Sequence, residues 1–122
     1  MIDAGQREKG REMGTRSRYM DDFYIAGMRY WDAALVLRDL GTGDNLSLVA
    51  EPGNPHDPDA VAICWEGSKL GYIPRESNAL PAQLLAFGHG DVIECRILKV
   101  YPQAETCRQI HVGLYMTKKG CE

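Results

Sequence analysis

Apolar residues recur at every second position in several short segments of the chain, and most of these segments end near a glycine or a proline. This alternation is typical of strands that bury one face. The turn at Glu66, Gly67 and Ser68 predicts a hairpin, whereas residues 32–40 fit either a strand or a helical turn. Strands are predicted for residues 23–28, 45–50, 60–65, 69–73, 91–101 and 110–116.

One amphipathic helix is predicted between the fourth and fifth strands. Leu80, Leu84 and Phe87 recur at helical spacing, so we expect them to face the core. Asn78 precedes this segment and can cap it, and Gly88 suits its end. Several short strands without β-α-β alternation predict a mainly β fold with one or two short helices, namely an OB-like antiparallel β-barrel.

The length of 122 residues fits one domain. Residues 1–20 carry five basic and three acidic side chains and few large apolar ones, so we interpret them as a polar N-terminal arm. The domain is then expected at residues 21–117, with a short tail at 118–122. The net charge of -3 argues against broad wrapping of duplex DNA, which needs many cationic contacts to phosphates, but allows a small local nucleic-acid site.

No stretch approaches the ~20 apolar residues of a membrane helix, and residues 1–20 lack the apolar centre of a secretory signal. We therefore expect an intracellular, cytoplasmic protein with no membrane partner. Cys64, Cys95, Cys107 and Cys121 form no C-x-x-C pair, so we expect free thiols rather than a zinc site or a disulfide framework. The sequence predicts no cofactor and no metal.

Arg29, Tyr30 and Trp31 follow the first predicted strand and form the first candidate binding segment. A guanidinium there can reach a phosphate while an aromatic ring stacks on a base, a combination that suits single-stranded nucleic acid. For these three residues taken alone, a core position of the rings is the more common alternative.

The loop at residues 51–60, which three prolines stiffen, is the second candidate segment. His56 and Asp57 are its candidate binding residues. Asn54 and Asp57 can also act simply as turn residues that hydrogen-bond their own downstream backbone. Arg75, which follows the strand at residues 69–73, is a candidate phosphate contact or an exposed residue at the start of the helix.

Motifs for catalysis are scarce in this sequence. Glu51, His56, Asp57 and Asp59 could supply metal ligands, so a metal-assisted phosphodiester hydrolase is the third and least favoured function. No G-x-x-x-x-G-K-S/T loop occurs in the sequence, and we therefore expect no ATPase activity. The expectation is a non-catalytic protein.

The sequence contains three blocks in order: Gly27-x-Arg29-Tyr30-Trp31, then Leu48-x-x-Glu51-Pro52-x-Asn54-Pro55-His56-Asp57-x-x-Ala60-Val61-x-Ile63, and Leu70-Gly71-Tyr72-Ile73-Pro74-Arg75. Taken together, these blocks resemble the signature of the HIRAN domain family. The middle block is the most specific, because a Glu-Pro-x-Asn-Pro-x-Asp-x-x-Ala string rarely arises by chance. The resemblance covers residues 23–116 and implies an OB-like barrel.

The resemblance also implies a function, because the DNA-binding eukaryotic member of the family grips the free 3′ end of single-stranded DNA. By position, Arg29 and Tyr30 would contact the terminal nucleotides, Asp57 the 3′ hydroxyl and Arg75 a phosphate. The implied context is DNA repair or replication, with a helicase or nuclease as a protein partner. The full set of implied nucleic-acid-binding residues is Arg29, Tyr30, Trp31, His56, Asp57, Tyr72 and Arg75.

Two departures from that DNA-binding member lower the affinity that we expect. His56 stands where that member has a tyrosine, and Arg75 is the one cation where that member offers more. Since stacking is worth ~1–3 kcal/mol per base, the two changes predict a loss of about a hundredfold in binding. The alternative function is a protein-interaction or regulatory module on the same barrel, because fold alone does not transmit function.

Overall fold

The computed structural model describes residues 17–118. Within them, six antiparallel strands form a single sheet in the order β1-β6-β5-β2-β3-β4. The strands are β1 Ser17–Tyr24, β2 Asn45–Ala50, β3 Val61–Trp65, β4 Ser68–Tyr72, β5 Ile93–Val100 and β6 Ile110–Thr117. The helices are α1 Ala33–Val36 and α2 Ala79–Ala86, and short 3-10 turns lie at Met28–Tyr30, Leu37–Asp39, Arg75–Ser77, Gly90–Val92 and Thr106–Arg108.

The two ends of the sheet meet at one pair of residues. Ala26, just beyond β1, donates its N–H to the Tyr72 carbonyl of β4 at 2.9 Å, and the Tyr72 N–H donates back to the Ala26 carbonyl at 2.8 Å. We call this pair the seam. The sheet therefore curls into a barrel-like shape without closing fully, which confirms the predicted OB-like antiparallel fold.

The hydrophobic core fills the inside of this curl. Each fully buried leucine or isoleucine contributes roughly 1.5–3 kcal/mol relative to an exposed position. Side chains from all six strands meet there, so the core joins both ends of the sheet. Its largest fully buried side chains are Ile25, Ile63, Leu70, Ile97, Ile110 and Leu114.

The strands after residue 40 lie within two residues of their predicted bounds, but β1 does not. It covers Ser17–Tyr24 instead of residues 23–28, and it pairs with β6 from Ser17 opposite Thr117 to Tyr24 opposite His111. Most of its side chains are exposed or only partly buried, and many are polar. The apolar pattern that predicts a strand is therefore weak in this segment. Residues 17–20 of the predicted arm thus belong to β1, while residues 1–16 and 119–122 lie outside the described residues.

α2 lies where it was predicted, but it buries a different face. Leu80 is 51% exposed and Phe87 is 77% exposed, whereas Pro81 and Ala82 are buried and Leu84 packs partly against the core. The prediction that Leu80 and Phe87 face the core is therefore wrong. Phe87 is the C-cap residue, where the backbone already leaves the helix, so helical spacing no longer sets the direction of its side chain.

α2 is terminated by a glycine, as the sequence predicted. Gly88 has a φ of 83° and donates its N–H to the Leu85 carbonyl at 3.2 Å, while the His89 N–H bonds the Leu84 carbonyl at 2.7 Å. These two bonds form a Schellman motif, which satisfies the last carbonyls of the helix. The segment at residues 32–40, which the sequence left open, is helical through α1 and the 3-10 turn after it.

The three described cysteines, Cys64, Cys95 and Cys107, are free thiols. Burial raises the pKa of Cys95 to about 12, so this thiol stays protonated at neutral pH. Cys121 lies outside the described residues. Across residues 17–118, no helix has the length and apolar character needed to cross a membrane.

Gly71 allows the two ends of the sheet to approach each other. A Cβ at this position would lie 2.4 Å from the Ala26 carbonyl oxygen and 2.6 Å from Ile25 Cγ2. We expect Gly71→Ala to lower the free energy of unfolding by about 1–3 kcal/mol, because the backbone at the seam must shift. Urea unfolding measures this change. Gly41→Ala is the matched control, since a Cβ there meets nothing within 4 Å, and equal midpoints for the two variants would contradict the prediction.

Candidate functional site

A cleft of about 490 Å³ opens beside the seam. Its walls come from the turn after β1, the loop between β2 and β3, the end of β4 with the residues that follow it, and the residue before α2. The seam thus gathers segments that are far apart in the sequence. Six of the seven predicted site residues line this one cleft, namely Tyr30, Trp31, His56, Asp57, Tyr72 and Arg75.

Arg29, the seventh, lies beside the cleft rather than in it. Its guanidinium carbon is 5.3 Å from the centre of the Tyr30 ring. It lines an adjoining groove of about 660 Å³ together with Glu105 and Cys107, and Tyr30 lines both the groove and the cleft. A ligand bound in the cleft therefore reaches Arg29 by extending past Tyr30.

The turn after β1 exposes its aromatic rings. Gly27 has a φ of 69°, in the left-handed region that favours glycine, and it starts the 3-10 turn in which Met28 is buried. Tyr30 is 71% exposed and Trp31 is 41% exposed. The alternative that one or the other of these rings belongs to the core is therefore wrong. Exposed rings beside a guanidinium are suited to stacking on a ligand.

Trp31 and Tyr72 are supported by an ion pair that the sequence analysis missed. Lys69 Nζ lies 2.6 Å from Glu51 Oε2 and donates to the Tyr72 hydroxyl at 3.0 Å, and that hydroxyl donates to Glu51 Oε1 at 2.8 Å. The Lys69 ammonium also lies 4.0 Å from the centre of the Trp31 ring. Because Trp31 also contacts Tyr72 edge to face at 6.1 Å, both rings are held in one arrangement before a ligand arrives.

The groups in this cluster shift each other's pKa. Partial burial raises the pKa of the Glu51 carboxyl, but hydrogen bonds from Lys69, Tyr72 and Asn54 outweigh this effect and leave the pKa below its ordinary value. Partial burial likewise lowers the pKa of Lys69, and its bonds to Glu51 and Tyr72 raise it overall. Both groups are therefore charged at neutral pH.

The loop between β2 and β3 is shaped by bonds from side chains to its own backbone. Asn54 Oδ1 accepts from the N–H groups of His56 at 2.8 Å and Asp57 at 3.2 Å, and Asp57 Oδ1 accepts from the Asp59 N–H at 2.9 Å. This confirms Asn54 and Asp57 as turn residues. Both also line the cleft, so the turn role and a binding role are compatible.

Asp57 is the carboxylate of the cleft, with its side chain 19% exposed. Its Oδ2 accepts from Asn78 Nδ2 at 2.9 Å and lies 3.7 Å from Arg75 Nε. The hydrogen bonds from the Asp59 backbone and from Asn78, together with the charge of Arg75, hold the pKa of Asp57 below its ordinary value despite partial burial. The cleft thus contains an ionised hydrogen-bond acceptor at neutral pH.

Arg75 joins the loop to the segment before α2. Its Nη2 donates to the His56 carbonyl at 2.8 Å, yet 71% of its side chain remains exposed. A guanidinium has five N–H donors, so several of them remain available for a phosphate. Arg75 can therefore both position the loop and bind an anion.

Two of the four residues considered as metal ligands are engaged in other bonds. Glu51 pairs with Lys69, and Asp57 accepts from Asn78 and from the Asp59 backbone. In the described part of the chain, no three His, Cys, Asp or Glu side chains are grouped so that they could hold a metal ion. This arrangement gives the hydrolase hypothesis no support.

Asn78 is a further cleft residue that sequence reasoning missed. It occupies the N-cap position of α2, but its side chain makes no capping hydrogen bond, so the predicted capping role is wrong. Its amide bonds Asp57 instead. An asparagine before a helix is most often a cap, and no local pattern reveals a partner that lies 21 residues away.

The chain matches the HIRAN domain model over residues 19–114. It therefore belongs to the HIRAN domain family. HIRAN domains are known as DNA-binding modules, and they are not known to be catalytic. The identification confirms the resemblance that the sequence blocks carried.

Two solved structures are similar to this HIRAN domain. A crystal structure of a protein from Lactobacillus plantarum has a TM-score of 0.72 and 25% identity, and the match covers 86% of this chain and 99% of that chain. The HIRAN domain of human HLTF has a TM-score of 0.60 and 16% identity over 87% of this chain and 81% of that chain, and it supports the fold alone. A comparison with curated proteins finds no match.

The ion pair between Glu51 and Lys69 should make stability depend on pH. Because folding lowers the Glu51 pKa, its contribution is complete above the ordinary value of 4.5 and is lost as the pH falls below it. At about pH 7, Glu51→Gln should be less stable than wild type by roughly 1–2 kcal/mol, and the gap should shrink towards about pH 3. Urea midpoints at both pH values measure this gap.

The matched control is Glu66→Gln, which changes an exposed residue in the turn between β3 and β4. It should have little effect at either pH. If Glu51→Gln were equally destabilised at both pH values, the role assigned to the ion pair would be wrong.

Proposed function

We propose that this HIRAN domain binds the 3′-hydroxyl end of single-stranded DNA, in DNA repair or replication, without catalysing a reaction. The observation that carries the proposal is the composition of the cleft. An ionised carboxylate, an exposed aromatic ring and an exposed guanidinium line the same cavity, contributed by Asp57, Tyr30 and Arg75. A module of this kind needs an enzyme such as a helicase or nuclease as its partner, and we include that partner in the proposal.

Asp57 supplies the recognition of the strand end. An ionised carboxylate accepts a strong hydrogen bond from a hydroxyl group and repels a phosphate. Only the last nucleotide of a DNA strand carries a 3′ hydroxyl, because every other nucleotide carries a phosphodiester at that position. Asp57 therefore favours a free 3′ end over the interior of a strand.

The aromatic rings and Arg75 supply most of the affinity. Tyr30 offers an exposed ring face, and base stacking on such a ring is worth about 1–3 kcal/mol. Arg75 can bind the phosphate next to the terminal nucleotide while its Nη2 stays hydrogen-bonded to the His56 carbonyl in the loop. Binding through few cations also agrees with the acidic net charge, since no long stretch of phosphates needs to be neutralised.

The chemistry of the strand end gives the most direct test. We expect wild type to bind a labelled single strand with a 3′ hydroxyl about tenfold more tightly than one with a 3′ phosphate or with a duplexed 3′ end. Asp57→Asn removes the charge and should bring the hydroxyl and phosphate strands to nearly equal affinity. Fluorescence anisotropy at low salt measures all three ligands.

Asp39→Asn provides the control for this experiment, because it removes a carboxylate from the exposed 3-10 turn after α1. It should retain the wild-type preference. Equal binding of all three strands by wild type, or no binding at low salt, would remove the 3′-end proposal.

Stacking on Tyr30 gives a second test that does not depend on the strand end. Tyr30→Ala should weaken binding of the 3′-hydroxyl strand by about 5- to 150-fold while leaving stability nearly unchanged, because the ring is mostly outside the core. Anisotropy and thermal unfolding measure the two effects. Phe87→Ala removes an equally exposed ring that does not line the cleft and should bind normally; a similar loss in both variants would argue against stacking in the cleft.

The alternative function, a protein-interaction module, also has an observation in its favour. Leu80 on α2 and Phe87 at its C-cap expose large apolar side chains to solvent, and neither lines the cleft. Isolated exposed apolar residues are common on protein surfaces, so this observation weighs less than the composition of the cleft. Failure of every strand to bind would favour this alternative.

A further inference from the structure

Asn78 is the one buried polar side chain among the described residues, with 4% exposure. A buried amide is costly unless it is hydrogen-bonded, so its partner identifies its role. Asn78 Nδ2 donates to Asp57 Oδ2 at 2.9 Å, and no described residue bonds its Oδ1. Its side chain leaves the helix amides uncapped and lines the cleft. The Asn78 side chain therefore binds Asp57 and does not cap α2.

The carboxylate of Asp57 is held at both of its oxygens. Oδ1 accepts from the Asp59 N–H at 2.9 Å, and Oδ2 accepts from the Asn78 amide. Two donors on different oxygens fix the rotation of the carboxylate plane. Because a carboxylate has about four acceptor positions, each oxygen keeps a further one. The remaining acceptor positions are thus presented in a fixed direction.

We propose that Asn78 is the positioning residue of the 3′-end site, because Asn78 holds the Asp57 carboxylate in one orientation and in its ionised form. This inference rests on the proposed function, because it explains how Asp57 would read a hydroxyl group. The Asp59 N–H fixes only one oxygen, and Arg75 Nε is 3.7 Å from the other, so Asn78 makes the short contact that completes the arrangement. Without it, the acceptor would rotate and lose its preference for the hydroxyl.

The ionisation of Asp57 depends on the groups around it. His56 and Asp59 lie on the same loop, Arg75 on the 3-10 turn before α2, and Tyr72 at the end of β4. The hydrogen bonds from Asp59 and Asn78 lower the pKa of Asp57, and the charge of Arg75 adds to their effect. Replacing the Asn78 amide by a carboxylate reverses its contribution, because two carboxylates this close cannot both ionise easily.

Asn78→Asp tests the proposal, because it keeps the size of the side chain and a good N-cap residue. The readout is the preference for a single strand with a 3′ hydroxyl over one that ends in a dideoxynucleotide, which lacks the hydroxyl and adds no charge. We expect wild type to keep this preference between about pH 8 and pH 5, because its carboxylate stays ionised. In Asn78→Asp the ratio of the two affinities should fall by about fivefold to tenfold as the pH is lowered over that range, because the pair of carboxylates takes up a proton.

Asn45→Asp is the matched control, since it makes the same charge change at an exposed residue of β2 that does not line the cleft. Any effect of pH that is common to both strands cancels in the ratio of the two affinities. If Asn78→Asp fails to fold, Asn78→Ser removes the amide and retains a capping residue. The serine variant should lose the preference while it binds the dideoxy strand as wild type does.

The outcomes separate this inference from the function on which it rests. If wild type does not prefer the hydroxyl strand, the proposed function is wrong and the inference falls with it. If wild type shows the preference and Asn78→Asp follows the Asn45→Asp profile, the function stands and the role of Asn78 is wrong. Equal weakening of both strands at every pH would also overturn it, because a purely structural role produces that result.

Discussion

The seam between Ala26 and Tyr72 is the contact on which the candidate site depends. Two backbone hydrogen bonds join the segment just beyond β1 to the end of β4, and Gly71 permits the approach because a side chain there would collide with the Ala26 carbonyl. Residues on either side of the seam become the walls of the cleft, namely Gly27, Tyr30 and Trp31 in one segment and Tyr72 to Arg75 in the other. The loop after β2 then covers the third side.

Some polar contacts around the cleft hold its aromatic side chains in place, and others belong to the group that is proposed to recognise the ligand. Glu51 and Lys69 are paired with each other and hold Trp31 and Tyr72 in place. Asp57 keeps acceptor positions free although two donors already bind it. The proposed ligand, one terminal nucleotide, fits these few cations better than a long duplex does, since they would neutralise few phosphates. The acidic charge of the whole chain agrees with this limited footprint.

The predictions from sequence succeeded where the signal is local. Alternation with period two located β2 and β6, because residues two positions apart share a face of the sheet, and apolar runs with turn signals located β3 to β5. It failed for β1, whose side chains are mostly exposed and polar. Helical spacing located α2 but not its buried face, since Leu80 and Phe87 are exposed while Pro81 and Ala82 pack inward. Burial depends on what the rest of the fold places against a helix.

By itself, the sequence determined the β-rich fold class, the turn chemistry of Asn54 and Asp57, and the blocks that mark a HIRAN domain. It also named six residues that line one cleft. Only the tertiary structure decided that Arg29 lies beside the cleft, that Lys69 pairs with Glu51, and that Asn78 serves Asp57 rather than α2. The reason is physical: these contacts join residues 18 and 21 positions apart, and their distance is set by the curl of the sheet and the seam. Local periodicity and propensity carry information over only a few residues.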